Sequence, residues 1–268
     1  MTQPPILARK SIASPSVFTP ENLLREARRQ KHLELKSMPA VCVLDPDGDI
    51  VRRMRGANRA KRDLAWACYH TDLYRLTADD LVLGIVPCAV GAPFAVLVAE
   101  QLFASGCRLL ISMTSAGQLD QRRSPPYFVL IEGALRDEGT SYHYAEPAEF
   151  AVADASLLGR LDGCFDEMRV PVHRGVTWTT DAPFRETADA IAAMSARGLA
   201  AVEMEAAALY AFATARQRAV LCFAHVTNQM ARTEGDFEKG EADGSTDALA
   251  VIVTAARACA DLLLPDAG

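Results

Sequence analysis

The segment at residues 201–219, AVEMEAAALYAFATARQRA, places Glu203 and Glu205 at the start of an apolar run. Apolar residues cover nearly all sides of the helix that this run predicts, which is typical of a buried helix. Residues two apart in a helix point roughly 200° apart, so the two carboxylates do not lie on the same face of the predicted helix. A buried carboxylate must be paired, cap the helix or meet a polar ligand. Stabilisation by the positive helix end is the plainer interpretation.

Short apolar runs predict strands elsewhere in the chain. They lie at residues 40–45, 80–90, 107–113, 127–135, 174–181 and 219–228. Polar loops follow four of them: DGDIVR after the first, TSAGQ after the third, TTDAPFRET after the fifth and HVTNQ after the last. The carboxyl ends of parallel strands meet at one crevice, so these loops together favour a site there. Taken singly, each loop is more typical of an ordinary turn.

Helical patterns complete an α/β fold. They lie at residues 21–35, 94–106, 201–219 and 247–264. The strand, helix and strand over residues 80–113 form a βαβ pattern, which predicts parallel strands. We therefore expect a three-layer αβα sandwich with a mixed, mostly parallel central sheet. No repeat or linker divides the chain, so we expect one domain at residues 40–268, preceded by an arm and helix at residues 1–39.

Composition narrows the classes of function. Of 268 residues, 50% are hydrophobic and 23% are charged, which is typical of a soluble globular protein. The net charge of −6 disfavours nucleic acid as a partner. No apolar run is long enough to span a membrane and the N-terminus has no secretory leader, so we expect a cytoplasmic protein. The seven cysteines are scattered singly, which predicts reduced thiols instead of disulfides or a zinc site.

A basic segment interrupts this acidic chain. Residues 52–62, RRMRGANRAKR, contain six basic and no acidic side chains. A solvated surface segment is the simpler interpretation. The alternative is a small anion site, because a phosphate needs only a few convergent donors.

The motifs, taken in order, resemble one family. They are GD-x-x-R, a strand ending in TSAG, EGTS-Y, TTDAP, VEMEAAAL and a strand ending in VTN. Together they are similar to the nucleoside phosphorylase family that contains uridine phosphorylase, hexameric purine nucleoside phosphorylase and the methylthioadenosine nucleosidases. The similarity covers about residues 40–262, and VEMEAAAL is its most specific element.

The resemblance implies cleavage of a nucleoside at its anomeric carbon, through an oxocarbenium-like state attacked by phosphate, or by water in the nucleosidases. Glu205 matches the family's ribose-binding glutamate, which is catalytic because a carboxylate fixes the sugar and stabilises its positive charge. Met204 matches the methionine that packs on the sugar. Glu203 matches a neighbouring glutamate near the sugar and, in the nucleosidases, near the nucleophile.

For phosphate, the resemblance implies binding by Gly48 and Arg52, in GDIVR, and by the hydroxyl of Ser115. Two positions depart from the family pattern. Ser112 stands where the phosphorylases carry an arginine, and Ala65 aligns near a second arginine, which a neighbouring subunit contributes. The loss of two guanidinium groups should weaken phosphate binding, unless other arginines of the basic segment compensate.

For the base, the resemblance implies contacts from Gly117, whose backbone passes close to it, and from the TTDAPFRET loop. Asn228 stands at the end of the last strand, where purine enzymes carry an aspartate and uridine phosphorylases tend to carry asparagine. An amide is not an acid, so Asn228 favours a pyrimidine, whose departing charge needs hydrogen-bond donors. Arg185 could be such a donor, and Phe184 could stack on the base. The plainer interpretation of Arg185 is a surface arginine paired with Glu186.

These features predict a uridine-type nucleoside phosphorylase that releases a free base and ribose 1-phosphate. Its partners would be a nucleoside and phosphate, the co-substrate, with no metal or organic cofactor, no nucleic acid and no membrane. The resemblance also implies a homo-oligomer, a dimer or a trimer of dimers, whose sites borrow residues across an interface. Two alternatives are a phosphate-independent nucleosidase, suggested by Ser112 and Ala65, and a nucleoside-binding protein without turnover.

Overall fold

A mixed β-sheet organises the chain. The computed structural model describes residues 4–8, 11–229, 234–237 and 239–263. Its strands are β1 (Val41–Asp45), β2 (Ala60–Arg62), β3 (Tyr74–Ala78), β4 (Leu81–Pro87), β5 (Leu109–Gln118), β6 (Tyr127–Asp137), β7 (Phe150–Val152), β8 (Val172–Thr180), β9 (Ala201–Glu203) and β10 (Ala219–Asn228). Its α-helices are α1 (Pro20–Lys31), α2 (Asp49–Gly56), α3 (Ala92–Ala104), α4 (Ala155–Gly159), α5 (Ala188–Ala196), α6 (Ala206–Arg216) and α7 (Ser245–Ala258).

The sheet runs in the order β10-β6-β8-β9-β5-β1-β4-β3-β2, and it closes on itself because β10 also pairs with β5. The predicted parallel strands β4 and β5 lie on either side of β1 and are both parallel to it. Strand β10 is parallel to β5 on the other side. Helices pack in two groups, α3 with α6 and α2 with α7. The α/β fold class is confirmed, and the carboxyl ends of β1, β4, β5 and β10 meet at one edge.

The prediction of one continuous helix over residues 201–219 is wrong. Residues Ala201–Glu203 form β9, which pairs with β5 and β8, and helix α6 begins only at Ala206. The Glu203 carboxylate accepts hydrogen bonds from the amides of Glu205 and Ala206, and this starts the helix. A short buried strand and a buried helix are both apolar, so their pattern alone does not separate them.

Helix α2 replaces most of the DGDIVR loop that was predicted after the first strand. Gly48 adopts a left-handed conformation, with φ of 72°, and the chain turns there from β1 into the helix. The buried Asp45 carboxylate accepts the amide of Val51 at 3.0 Å, which satisfies one donor of the first turn. Burial raises the pKa of Asp45 to about 7. The first arginines of the basic segment therefore lie on a helix directly beside the end of β1.

The N-terminal helix is shorter than residues 21–35. Thr19 caps α1 by accepting the amide of Asn22 at 3.2 Å, and Pro20 occupies its first turn. The helix ends because His32 adopts a left-handed conformation. Leu24 and Ala27 are fully buried, and α1 packs against α3. Helix α1 therefore covers part of α3.

The cysteines are free thiols, as the sequence predicted. Five of them are buried, whereas Cys88 is exposed and Cys164 is partly exposed. Among the described residues no helix is both long and apolar enough to cross a membrane. Over the same residues, no group of three or more His, Cys, Asp and Glu side chains is placed to hold a metal ion.

Candidate active site

The structure brings the predicted strand-end motifs together. Within the sheet, Gly117 at the end of β5 pairs with Val202 on one side and with Asn228 on the other. Ser115, two residues earlier, pairs with His225. The TSAG, VEMEAAAL and VTN motifs are therefore adjacent through backbone register.

Glu205 is the most unusual side chain at this junction. It is 1% exposed, and its Oε1 accepts the backbone amide of Gly91 at 2.7 Å. Its other oxygen accepts the Met204 amide at 3.3 Å, and the nearby Thr114 hydroxyl acts to lower the pKa of the carboxyl group. Burial raises the pKa of Glu205 to about 7, with a further rise from the Glu203 carboxylate. A carboxylate buried without a cation is costly, which favours a ligand partner.

Glu203 is buried just as deeply but is surrounded by protein donors. Its Oε1 accepts the hydroxyl of Thr177 at 3.0 Å and that of Thr179, and its Oε2 accepts two backbone amides at 2.7 Å. Burial raises the pKa of Glu203, and these hydrogen bonds oppose the rise. Its contacts are those of a helix N-terminal cap. Its predicted sugar contact remains a prediction.

Met204 lies between the two glutamates and is partly exposed. Its Cε lies 3.9 Å from the position that a Cβ atom would take at Gly91, so the turn before α3 packs closely against it. We call Gly91, Thr114, Glu203, Met204 and Glu205 the sugar half of the site. Sequence reasoning did not assign a role to Gly91 or Thr114. The signal that could have pointed to Gly91 was the Gly91-Ala92-Pro93 turn, since this turn follows a strand and opens a helix.

The predicted phosphate ligands also meet, in a second cluster. Ser115 Oγ donates to Asp47 Oδ1 at 3.0 Å. Arg52 pairs with the Asp49 carboxylate, and its Nη2 donates to the backbone oxygen of Asp47 at 3.2 Å. The Gly48 amide donates to Asp45 O at 2.9 Å. Each of the three predicted ligands is close to the loop after β1, but each already has a protein acceptor.

Sequence reasoning gave no role to Asp47, Asp49 or Lys239 of this cluster, and of these three Lys239 is the one that adds a cation. Its ammonium group lies 2.8 Å from Asp47 Oδ2 and 2.5 Å from Asp49 Oδ2. Burial lowers its pKa, but the two carboxylates outweigh burial and the net shift is upward. We call Asp47, Gly48, Asp49, Arg52, Ser115 and Lys239 the anion half of the site. Lys239 follows the last strand by eleven residues and carries no motif, so no pattern pointed to it.

At the two departures from the family pattern, Ser112 and Ala65, the part of the chain that the structure describes supplies no cation in place of the arginine. Ser112 is 1% exposed within β5, and its Oγ has no hydrogen-bond partner among the described residues. Ala65 lies in the turn between β2 and β3. Within the basic segment, Arg62 pairs with Asp72 and Arg55 covers the ring of Tyr74. These contacts favour the solvated interpretation for the segment beyond Arg52.

The residues predicted to contact the base are less clustered than those of the sugar half and the anion half. Phe184 is 99% exposed and Arg185 is exposed, both in a 3-10 turn (Pro183–Arg185) after β8. Within the described residues no ion pair joins Arg185 to Glu186, whose pKa burial raises to about 7. Asn228 is buried, and its amide donates to Thr227 Oγ1 at 3.1 Å. A cavity of about 910 Å³ lies beside this turn, lined in part by Gln118, Pro183, Glu186 and α5.

The His225 ring is buried and packs against other parts of the chain. Its ring stacks on Phe128 with centroids 4.5 Å apart, and a Cβ atom at Gly244 would lie 2.1 Å from its Cε1. Burial, with the nearby Lys239, lowers the pKa of His225 to about 4. The ring is therefore neutral at pH 7 and packs between β6 and the start of α7.

Known proteins match the chain in sequence and in fold. A guanosine phosphorylase of Halorubrum lacusprofundi is 29% identical over 135 residues, which are 50% of this chain and 56% of that protein. A uridine phosphorylase of Thermococcus kodakarensis is 27% identical over 112 residues, 42% of this chain and 39% of that protein. The matched part of the chain thus spans about half the length of these two relatives, or less.

A crystal structure of uridine phosphorylase from Vibrio fischeri superimposes with a TM-score of 0.70, at 21% identity, over 84% of this chain and 93% of that one. At this identity the likeness concerns the fold. The profile of the phosphorylase superfamily matches residues 23–264, from within α1 to the end of the described chain. That match covers most of the sequence and all the strand-end motifs. The chain therefore belongs to the phosphorylase superfamily.

Proposed function

We propose that the chain is a nucleoside phosphorylase, a pentosyltransferase that cleaves the N-glycosidic bond with phosphate and releases a free base and ribose 1-phosphate. The observation that carries the proposal is Glu205, a carboxylate buried beside Met204 that has no ion-pair partner among the described residues. Ribose hydroxyls would donate to it and favour its ionised form. The carboxylate would then stabilise the positive charge that the sugar develops as the bond breaks.

Phosphate would bind at the anion half, on the face formed by the loop after β1. Arg52 and the hydroxyl of Ser115 offer donors suited to an anion, and Lys239 adds a second cation. The two halves are joined through β5, since Thr114 serves the sugar half and Ser115 the anion half. The proposed reaction uses no metal and no organic cofactor.

A pyrimidine such as uracil is the proposed base. Asn228 at the end of β10 is an amide, so it offers hydrogen bonds without an acidic proton. Arg185 and Phe184 lie in the turn after β8, where the first could donate to the base and the second could stack on it. The relatives named above include a guanosine and a uridine phosphorylase, and the second supports this choice.

A homo-oligomer in the cytoplasm is part of the same proposal, as a dimer or a trimer of dimers. The support is family membership and the absence of an arginine at Ser112, because a neighbouring subunit could complete a site that is poor in cations.

Hydrolysis by water is the second candidate, and the anion half favours it. The Asp47 carboxylate already accepts the Ser115 hydroxyl and the Lys239 ammonium group, which are donors that a phosphate would need. A site with its donors in use binds an added dianion weakly. Under this alternative the sugar half acts as above and water replaces phosphate.

A substrate panel tests the proposal. Uridine, thymidine, inosine, adenosine and methylthioadenosine would be assayed for base release, with and without phosphate, after dialysis against a metal chelator. We expect phosphate-dependent release, fastest with uridine. Release that phosphate does not change would favour the hydrolytic candidate. A nucleoside that raises the melting temperature without being consumed would indicate a binding protein.

A further inference from the structure

Asp47 occupies the centre of the anion half. Its two carboxylate oxygens accept different donors, Oδ1 from Ser115 Oγ at 3.0 Å and Oδ2 from Lys239 Nζ at 2.8 Å. A hydroxyl and an ammonium group are the kinds of donor that bind a phosphate oxygen. The Asp47 carboxylate thus makes the contacts that an oxyanion ligand would make.

The surrounding charges do not favour an added anion. A cavity of about 460 Å³ is lined by Asp47, Asp49, Arg52, Phe237, Lys239, Gly240 and Asp243. Among these described residues, three carboxylates face two cations. A phosphate dianion entering the cavity meets repulsion, unless it takes donors away from a carboxylate.

Backbone geometry holds Asp47 in place. The residue lies between the end of β1 and Gly48, whose left-handed conformation turns the chain into α2. Its backbone oxygen accepts Arg52 Nη2 at 3.2 Å. The Asp45 carboxylate fixes the first turn of the helix through Val51. The carboxylate therefore projects from a constrained turn.

Lys239 is held as firmly on the other side. Its backbone oxygen lies 2.7 Å from the position that a Cβ atom would take at Gly244, and the same position is 2.1 Å from the His225 ring. The segment carrying the lysine is thus packed onto β10. Its side chain is 19% exposed and bridges Asp47 and Asp49. Two fixed elements therefore meet through one ammonium group and two carboxylates.

We propose that Asp47 is a specificity-determining residue that competes with phosphate for Ser115 and Lys239 and so sets the affinity of the site for phosphate. Phosphate binds by taking both donors, after which the Asp47 carboxylate turns toward solvent. The inference rests on the proposed function, in that it assigns the anion half to phosphate. It predicts weak phosphate binding by the native chain and tighter binding when the carboxylate is removed.

Calorimetric titration with inorganic phosphate tests this without turnover. We expect Asp47→Ala to bind phosphate at least about tenfold more tightly than the native protein, since one nearby negative charge is lost, the Ser115 hydroxyl is freed and Lys239 keeps only its pair with Asp49. Asp47→Asn keeps the shape and removes the charge, so it should show a smaller gain in the same direction. Adding Lys239→Met to Asp47→Ala should abolish the gain.

The matched control is Asp162→Asn, which removes a carboxylate paired with Arg174 on the surface away from the site. We expect it to leave phosphate affinity unchanged. Equal or weaker binding by folded Asp47→Ala and Asp47→Asn, in a native protein that does bind phosphate, overturns the inference and leaves phosphorolysis standing. Binding by the Asp47 variants alone supports the inference and counts against phosphorolysis by the native chain. Absence of phosphate binding in every variant overturns both.

Discussion

The sugar half and the anion half of the candidate site are stabilised in opposite ways. In the sugar half, Glu205 is 1% exposed and accepts backbone amides, and no cation of the described residues pairs with it. In the anion half, the side chains of Asp47 and Arg52 are 28% and 64% exposed, and every charge has an ion-pair partner. The first half holds a buried carboxylate that accepts only neutral donors, whereas the second half is occupied by its own ion pairs.

This difference has an energetic reason. A carboxylate buried in a low-dielectric environment destabilises the fold unless something binds it, which makes such a group a good marker of function. Partly exposed ion pairs contribute little to stability because water screens them, so they can exchange partners at small cost. The sugar half should therefore respond sharply to substitution, and the anion half should respond mainly through phosphate affinity.

The largest expected effect is at Glu205. Glu205→Gln should lower kcat/KM by at least about a hundredfold, because a charged contact to the transition state is lost. Steady-state base release at saturating phosphate measures this. Glu100→Gln is the control, since Glu100 pairs with Arg216 on the α3 and α6 surface and should leave the rate unchanged. A near-normal rate for Glu205→Gln would remove the residue from the mechanism.

The main expected effect of substituting Glu203 is a loss of stability. Glu203→Ala orphans two backbone amides at the start of α6 and should lower the free energy of unfolding by about 2–4 kcal/mol. Glu203→Gln keeps an acceptor for those amides and should lower it by less than half as much. Urea unfolding at pH 7 measures both changes. Equal stability of the alanine variant and the native chain would contradict the capping role.

Arg52 distinguishes the two halves directly. Arg52→Gln should raise KM for phosphate roughly tenfold or more, through loss of a charged hydrogen bond, and leave KM for the nucleoside unchanged. Arg53→Gln is the matched control, because the next arginine on the same helix is exposed and does not line the anion cavity. An equal rise in both KM values would show that the halves are not separate.

The pH dependence should also come from the sugar half. Glu205 must be ionised to support the cationic sugar, so kcat/KM should fall about tenfold per pH unit below an apparent pKa near 7. The folded-state pKa is raised, so the native state binds more protons than the unfolded chain between pH 4.5 and 7, and stability falls as pH rises there. Glu205→Gln should therefore raise the melting temperature more at pH 8 than at pH 5. The opposite order would contradict the assignment.

The smallest effect is expected at the base. Phe184 is 99% exposed, so Phe184→Ala should change the free energy of unfolding by less than about 0.5 kcal/mol. If the ring stacks on the base, nucleoside KM should rise roughly fivefold, and Phe184→Tyr should retain native KM. An unchanged KM in the alanine variant would exclude Phe184 from the base contacts.

The sequence predicted the strands well, but it predicted the boundaries between strands and helices poorly. Apolar runs located β1, β4, β5, β6, β8 and β10, because a buried strand needs continuous apolar residues. The strand-to-helix change at Glu203 was missed, since Glu203 starts α6 through its own side-chain contacts, which no periodicity encodes. Glu205 was proposed from its motif, and its role stays a prediction. Asp47 and Lys239 are 192 residues apart in sequence and meet only through the fold, so their ion pair could not be predicted.

Product analysis with uridine and phosphate tests the central claim most directly, namely that the buried sugar half and the self-paired anion half together catalyse phosphorolysis. Phosphorus NMR would follow ribose 1-phosphate while uracil release is measured in the same sample, for the native chain and for Glu205→Gln. The account predicts one ribose 1-phosphate per uracil from the native chain and almost none from the variant. Uracil released with free ribose and no sugar phosphate would contradict it.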